Sequence, residues 1–119
     1  MTSRHKPPSR ATKERIAPLP PIPRAVLSTH GMIPVTLVDD LRDPETGETL
    51  FGFWNAYTRT ISIRAALDPT AAWLTLLHEL THADLGEIGV KLSDDQEEAI
   101  CCALAAARFA ALRLRGTLP

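Results

Sequence analysis

Aromatic residues are scarce: three Phe, two Trp and one Tyr stand among 119 positions, and the first of them is Phe51. The N-terminal stretch therefore has nothing to stack on nucleobases, which argues against nucleic acid as a partner. Cysteine is scarcer still. Cys101 and Cys102 are the only two and they are adjacent, so a disulfide between them is strained and a stapled secreted scaffold is excluded. Both read as small core residues of a reduced, intracellular protein. They also lack the spacing of a C-x-x-C zinc pair. No apolar run reaches the roughly 18 residues of a membrane span, and no apolar h-region follows the N-terminal charges. The expectation is a cytoplasmic chain with no membrane partner, long enough for one modest core and no second domain.

What is present is unevenly distributed. The net charge of -1 conceals a basic segment and an acidic body: residues 1–24 carry six Arg and Lys against one Glu, and the remainder carries seven basic and thirteen acidic groups. The basic segment also holds Pro7-Pro8 and the run Pro18-Leu19-Pro20-Pro21-Ile22-Pro23. Such a stretch continues neither a helix nor a central strand. We expect residues 1–24 to be a disordered basic Pro-rich tail and 25–119 a single folded domain, opening on a short helical turn at Arg24 to Thr29.

The body alternates and then turns helical. Ile33 to Leu41, Leu50 to Ala56 and Ile61 to Ala65 are β-branched or alternating, separated by the turn segment 42–49 and the hairpin 57–60, and predict a small antiparallel sheet of about three strands. Asp68-Pro69 caps and starts a helix that runs to about Asp84 or Leu85, ended by Gly86 and Gly89. Ser93 with Gln96 makes a capping box for a second helix, from about Asp94 to Leu114. The fold class is α+β, with the sheet packed on two main helices.

The first helix carries His78-Glu79-Leu80-Thr81-His82, an H-E-x-x-H pattern inside the apolar run from Ala71 to Leu85. Residues four apart share a helical face, so both imidazoles can hold one metal ion with Glu79 beside them. In a buried helix two His and a Glu need a partner that compensates their desolvation, and a metal ion is one. Two histidines leave a tetrahedral zinc short of ligands. With no His after His82, a carboxylate must close the site. Asp84 lies on a different helical face and suits a helix-end or outer-sphere role, while Asp94 and Asp95 complement the second helix's dipole. Glu97 and Glu98 are best placed, and periodicity does not choose between them.

The segment Thr75 to Ala83, a short Gly-containing loop and Leu92 to Ile100 together resemble the minimal gluzincin metallopeptidases, ImmA/IrrE-like and phage-encoded. The resemblance spans roughly residues 33–112. It implies a zincin-like minimal fold, with a strand like Thr60 to Arg64 as the rim above the metal cleft and a separate glutamate helix. It implies Zn2+ bound by His78, His82 and Glu98, with Glu97 as the fallback ligand, and Glu79 as the general base. The Asn common soon after the ligand Glu is replaced by Cys102.

The function these readings imply is a small zinc peptidase of a phage or bacterial host cytoplasm, hydrolysing a peptide bond in a protein substrate. Tyr57 and His30 are the candidates for stabilising the oxyanion. The alternative is a module of the same shape, inactive or with purely structural zinc, that binds a partner without cleaving it.

Overall fold

The computed structural model describes residues 18–115. In chain order the elements are β1 (Ala25–Ser28), β2 (Gly31–Val38), β3 (Gly52–Asn55), β4 (Thr60–Arg64), α1 (Pro69–Glu87) and α2 (Asp94–Arg115). The four strands form one sheet in the order β1-β2-β4-β3. β1 and β2 pair antiparallel, as do β3 and β4, but β2 and β4 run parallel. The sheet is thus mixed and has four strands, not three antiparallel ones.

Two differences from the sequence expectation have physical causes. Ala25–Ser28 is a strand where a helical turn was expected, because Val26 finds its partner in Ile33 across a two-residue turn and such pairing overrides the weak preference of a four-residue segment. The parallel pair arises because the chain leaves β2, passes the place of β4, builds β3 at the edge and then returns inward. Parallel neighbours need a crossover of roughly a dozen residues or more, and residues 39–59 supply it. Part of that crossover is stiffened by Asp43, whose carboxylate accepts from the Glu45 and Thr46 amides at 2.7 and 3.2 Å.

One face of the sheet is core. Ile33, Ile61 and Ile63 are fully buried there, against Trp73, Leu76, Leu77 and Leu80 of α1. The sheet packs on α1 alone and not on two helices as expected: α2 packs on α1 and on no strand, through Cys101, Ala105 and Leu112. α1 is therefore the middle of three layers, which explains why its apolar residues run round most of its circumference. Thr81, buried in this layer, donates to the Leu77 carbonyl at 2.8 Å and so leaves no unpaired hydroxyl.

The helix starts follow the sequence signals, whereas α1 continues through Gly86 to Glu87, past the expected end at Asp84 or Leu85, and only Gly89 acts as a stop. Asp68 accepts from the Ala71 amide at 2.8 Å, with Pro69 in the first turn. At the other end Gly89 adopts φ 75°, and Val90 and Gly89 donate to Leu85 and Gly86. That pair of bonds is a Schellman cap, and it needs a residue free of Cβ crowding at Gly89. Ser93 and Gln96 exchange both capping-box bonds at 3.1 Å.

The folded body also starts earlier than the expected boundary at 24/25. Leu19 and Ile22 pack on the core, and the Trp73 indole donates to the Pro20 carbonyl at 2.7 Å. Residues 1–17 lie outside the described residues. No helix among the described residues is long and apolar enough to cross a membrane.

Candidate metal centre

One turn of α1 and the first turns of α2 face each other, and the ionisable residues between them converge. His78 and His82 stand one above the other with ring centroids 4.9 Å apart. Their Nε2 atoms are 3.2 Å apart. Glu98 reaches across from α2 and lies 2.8 Å from Nε2 of His78 through one oxygen and 3.1 Å from Nε2 of His82 through the other.

Glu97 makes a different contact. Its carboxylate is 2.8 Å from Nδ1 of His82. A neutral imidazole that donates through Nδ1 presents a lone pair at Nε2, so the electron-rich nitrogen of His82 points at the Nε2 of His78 and the Glu98 carboxylate. Acceptors crowded this way need a cation or additional protons between them.

The donor set fits zinc. Bonds of about 2.0–2.1 Å in a tetrahedral arrangement hold ligand atoms about 3.3 Å apart, close to the 2.8, 3.1 and 3.2 Å among these three side chains. Two imidazoles and one carboxylate leave a fourth position open, as in catalytic rather than structural zinc sites. Glu97 on Nδ1 of His82 reproduces the outer-sphere carboxylate that orients a metal-binding histidine.

Glu79 occupies the floor of a hollow of about 310 Å³, lined also by Phe51, Gly52, Leu74, Thr75 and His78. Its carboxyl is raised to about 7, chiefly by burial and also by the neighbouring charge of Glu98, against the opposing pull of His82. β3 forms the wall. A Cβ at Gly52 would collide with Cγ2 of Thr75 and stand 3.1 Å from Cγ of Glu79, so only glycine lets the strand lie this close to the helix.

The rim is thus β3, and not Thr60–Arg64, which sits inside the sheet between β2 and β3. Cys102 also departs from expectation. It is exposed while Cys101 is buried, and its sulfur lies 3.9 Å from Nδ1 of His78, within a group of His78, Glu98 and Cys102 able to hold a metal ion. Its i+4 spacing from Glu98, which puts both on one helical face, was the available signal.

The other acidic candidates lie elsewhere. Asp84 accepts from the amide and hydroxyl of Thr29, both at 3.1 Å, tying the β1–β2 turn to α1. Glu87 meets His30 at 3.0 Å and Arg59 at 2.7 Å. His30 is therefore engaged by Glu87, and Tyr57 is wholly exposed in the β3–β4 turn. Neither is among the groups that converge on the histidines.

Comparison of the chain with protein-family models, with curated proteins and with solved structures finds no match.

Proposed function

We propose that the chain is a small zinc-dependent peptidase of the H-E-x-x-H plus glutamate type, a minimal gluzincin with a zincin-like fold. The observation that carries this reading is the convergence of His78 Nε2, His82 Nε2 and Glu98 within 3.2 Å, with Glu79 beside them. These three side chains would hold zinc, which would supply Lewis acidity toward water and a substrate carbonyl.

The remaining chemistry belongs to the chain's own residues. Glu79 takes the proton of the attacking water and delivers it to the leaving amine; in the metal-free chain burial raises its carboxyl to about 7. Glu97 holds Nδ1 of His82 and keeps that ring in the tautomer a metal requires.

The wall of the cleft supports a peptide substrate. Arg64 donates to the Phe51 carbonyl at 2.8 Å, which makes that pair hydrogen-bonded. In an antiparallel ladder the outward and inward backbone groups alternate. The N–H and C=O of Gly52 and Trp54 therefore point away from β4, to an edge that pairs with no other strand among the described residues. An extended substrate can add there by main-chain hydrogen bonds, with little demand on its side chains. We further propose a reducing compartment such as the cytoplasm, since both thiols are free.

A second reading, structural zinc in a partner-binding module, has one observation in its favour: the ligand atoms of His78, Glu98 and Cys102 lie within 4.8 Å of one another, so the sulfur could serve as a ligand. Glu79→Gln separates the two. With a mixed peptide library read by mass spectrometry, the peptidase reading expects zinc retained and cleavage lost; a native chain that holds zinc but cleaves nothing supports the structural reading.

A further inference from the structure

One face of α2 grips His78 from both sides. Glu98 and Cys102 are one helical turn apart, and His78 lies between them, with Nε2 2.8 Å from Glu98 and Nδ1 3.9 Å from the Cys102 sulfur. His82 is held in the same manner, with Nε2 toward Glu98 and Nδ1 2.8 Å from Glu97. Each metal-facing imidazole thus has an outer partner from α2. For His82 it is a carboxylate; for His78 it is a thiol.

With Nε2 of His78 directed at the metal position, its ring proton sits on Nδ1, and sulfur is the atom there to accept it. Outer partners of this kind fix the ring plane and tautomer, and losing one typically lowers metal affinity about 10–100-fold. We propose that Cys102 is the positioning residue for His78, so that the zinc affinity of the centre depends on a free thiol and responds to reagents that modify it. The inference rests on the metal centre proposed above.

Exposure makes the dependence accessible. Cys102 is exposed, whereas Cys101 is buried, so a maleimide should modify the first and spare the second. The sulfur adds to one alkene carbon of the reagent and the thiol proton passes to the other. The product is a bulky thioether where the acceptor of His78 had been. A carboxylate, the stronger acceptor already used on His82, should substitute for the thiol.

The test is a zinc titration of the full-length metal-free chain against a chromophoric chelator, for the native protein, Cys102→Ala, Cys102→Asp and the maleimide adduct. We expect Cys102→Ala to bind zinc about tenfold more weakly with unchanged thermal unfolding of the metal-free form. Cys102→Asp should restore native affinity or exceed it, and the adduct should bind no better than the Ala variant. Equal affinity of native and Cys102→Ala overturns the positioning role and leaves the metal centre standing. So does an intense sulfur-to-metal charge-transfer band in the cobalt-substituted chain, since it makes Cys102 a direct ligand. Absence of saturable zinc binding by the native chain overturns the centre itself, and this inference with it.

Discussion

The helix α1 carries two clusters of histidine and carboxylate, built from the same residue types, and only one of them asks for a metal. At its C-terminal end Glu87 meets Arg59, His30 and the Ser28 hydroxyl. Its surroundings disfavour the charge, but hydrogen bonding and attraction from Arg59, with His30 and Ser28, outweigh that and hold the carboxyl below its ordinary value. Donors and acceptors there are matched. One and a half turns earlier, the carboxylates of Glu97 and Glu98 bond to the two imidazoles, with half-buried Glu79 nearby, and no Lys or Arg pairs with them among the described residues. The first cluster is a closed ion pair that pins the β1–β2 and β3–β4 turns. The second is left with surplus negative charge and lone pairs on one point, which a cation would neutralise.

The sharpest way to exploit the contrast is Glu79→Gln. Peptide cleavage by the zinc-loaded chain should fall about 10²–10⁴-fold, while zinc binding remains, as read by progress curves beside metal analysis. The same variant has a signature in the metal-free protein. Folded Glu79 holds its proton more tightly than the unfolded chain does, with a pKa of about 7 against 4.5. The stability it lends at low pH is therefore lost as pH rises from about 4.5 through 7, and the loss is complete above that. Glu79→Gln should be the more stable form above pH 7, by on the order of 3 kcal/mol, and the advantage should vanish toward pH 4. Urea midpoints in the presence of chelator measure it; a pH-independent difference would contradict the buried environment assigned to Glu79.

Three further substitutions have smaller effects. Glu97→Gln should weaken zinc binding about tenfold, because an amide is a poorer acceptor for Nδ1 of His82, without displacing the metal. Gly52→Ala should lower stability by about 1–3 kcal/mol, because the added methyl must push β3 off Thr75 and Glu79. If chemical denaturation shows no change, the close wall of the cleft is wrong. Smallest at the metal is Glu87→Ala: it should lower the melting temperature by freeing the two turns and leave zinc affinity unaltered, since the closed cluster shares no residue with the open one.

Much of this was legible in local chemistry. Both helices could be bounded from Asp68-Pro69, Ser93 with Gln96 and Gly89, because caps are satisfied within a few residues of chain. The histidines and Glu79 were legible for the same reason, spacing on one helix. Glu97 and Glu98 could not be separated by periodicity, since neighbouring residues on a helix diverge by about 100° and the orientation of α2 against α1 is a tertiary fact. In the structure both are used, one toward each side of His82.

The sheet was less legible. Nothing near Ala25–Ser28 announces a strand until Ile33 is opposite Val26, and nothing in Ile61 to Arg64 says that its parallel neighbour lies more than twenty residues back. The attachment of Leu19 to Ile22 depends on Trp73, whose indole needs an acceptor that only the Pro-rich segment brings. Cys102 read as a core residue because its neighbour is one; a helix places adjacent residues on different faces, and only Cys101 turned inward.

The proposed zinc centre of two imidazoles and Glu98 makes a stoichiometric demand. Metal content per chain, measured on protein purified without added metal, tests it most directly, with native chain beside Glu98→Ala and circular dichroism confirming that both are folded. The expected result is about one zinc per native chain and none in the variant. A folded native chain free of zinc, or a Glu98→Ala variant that retains it, would contradict the account.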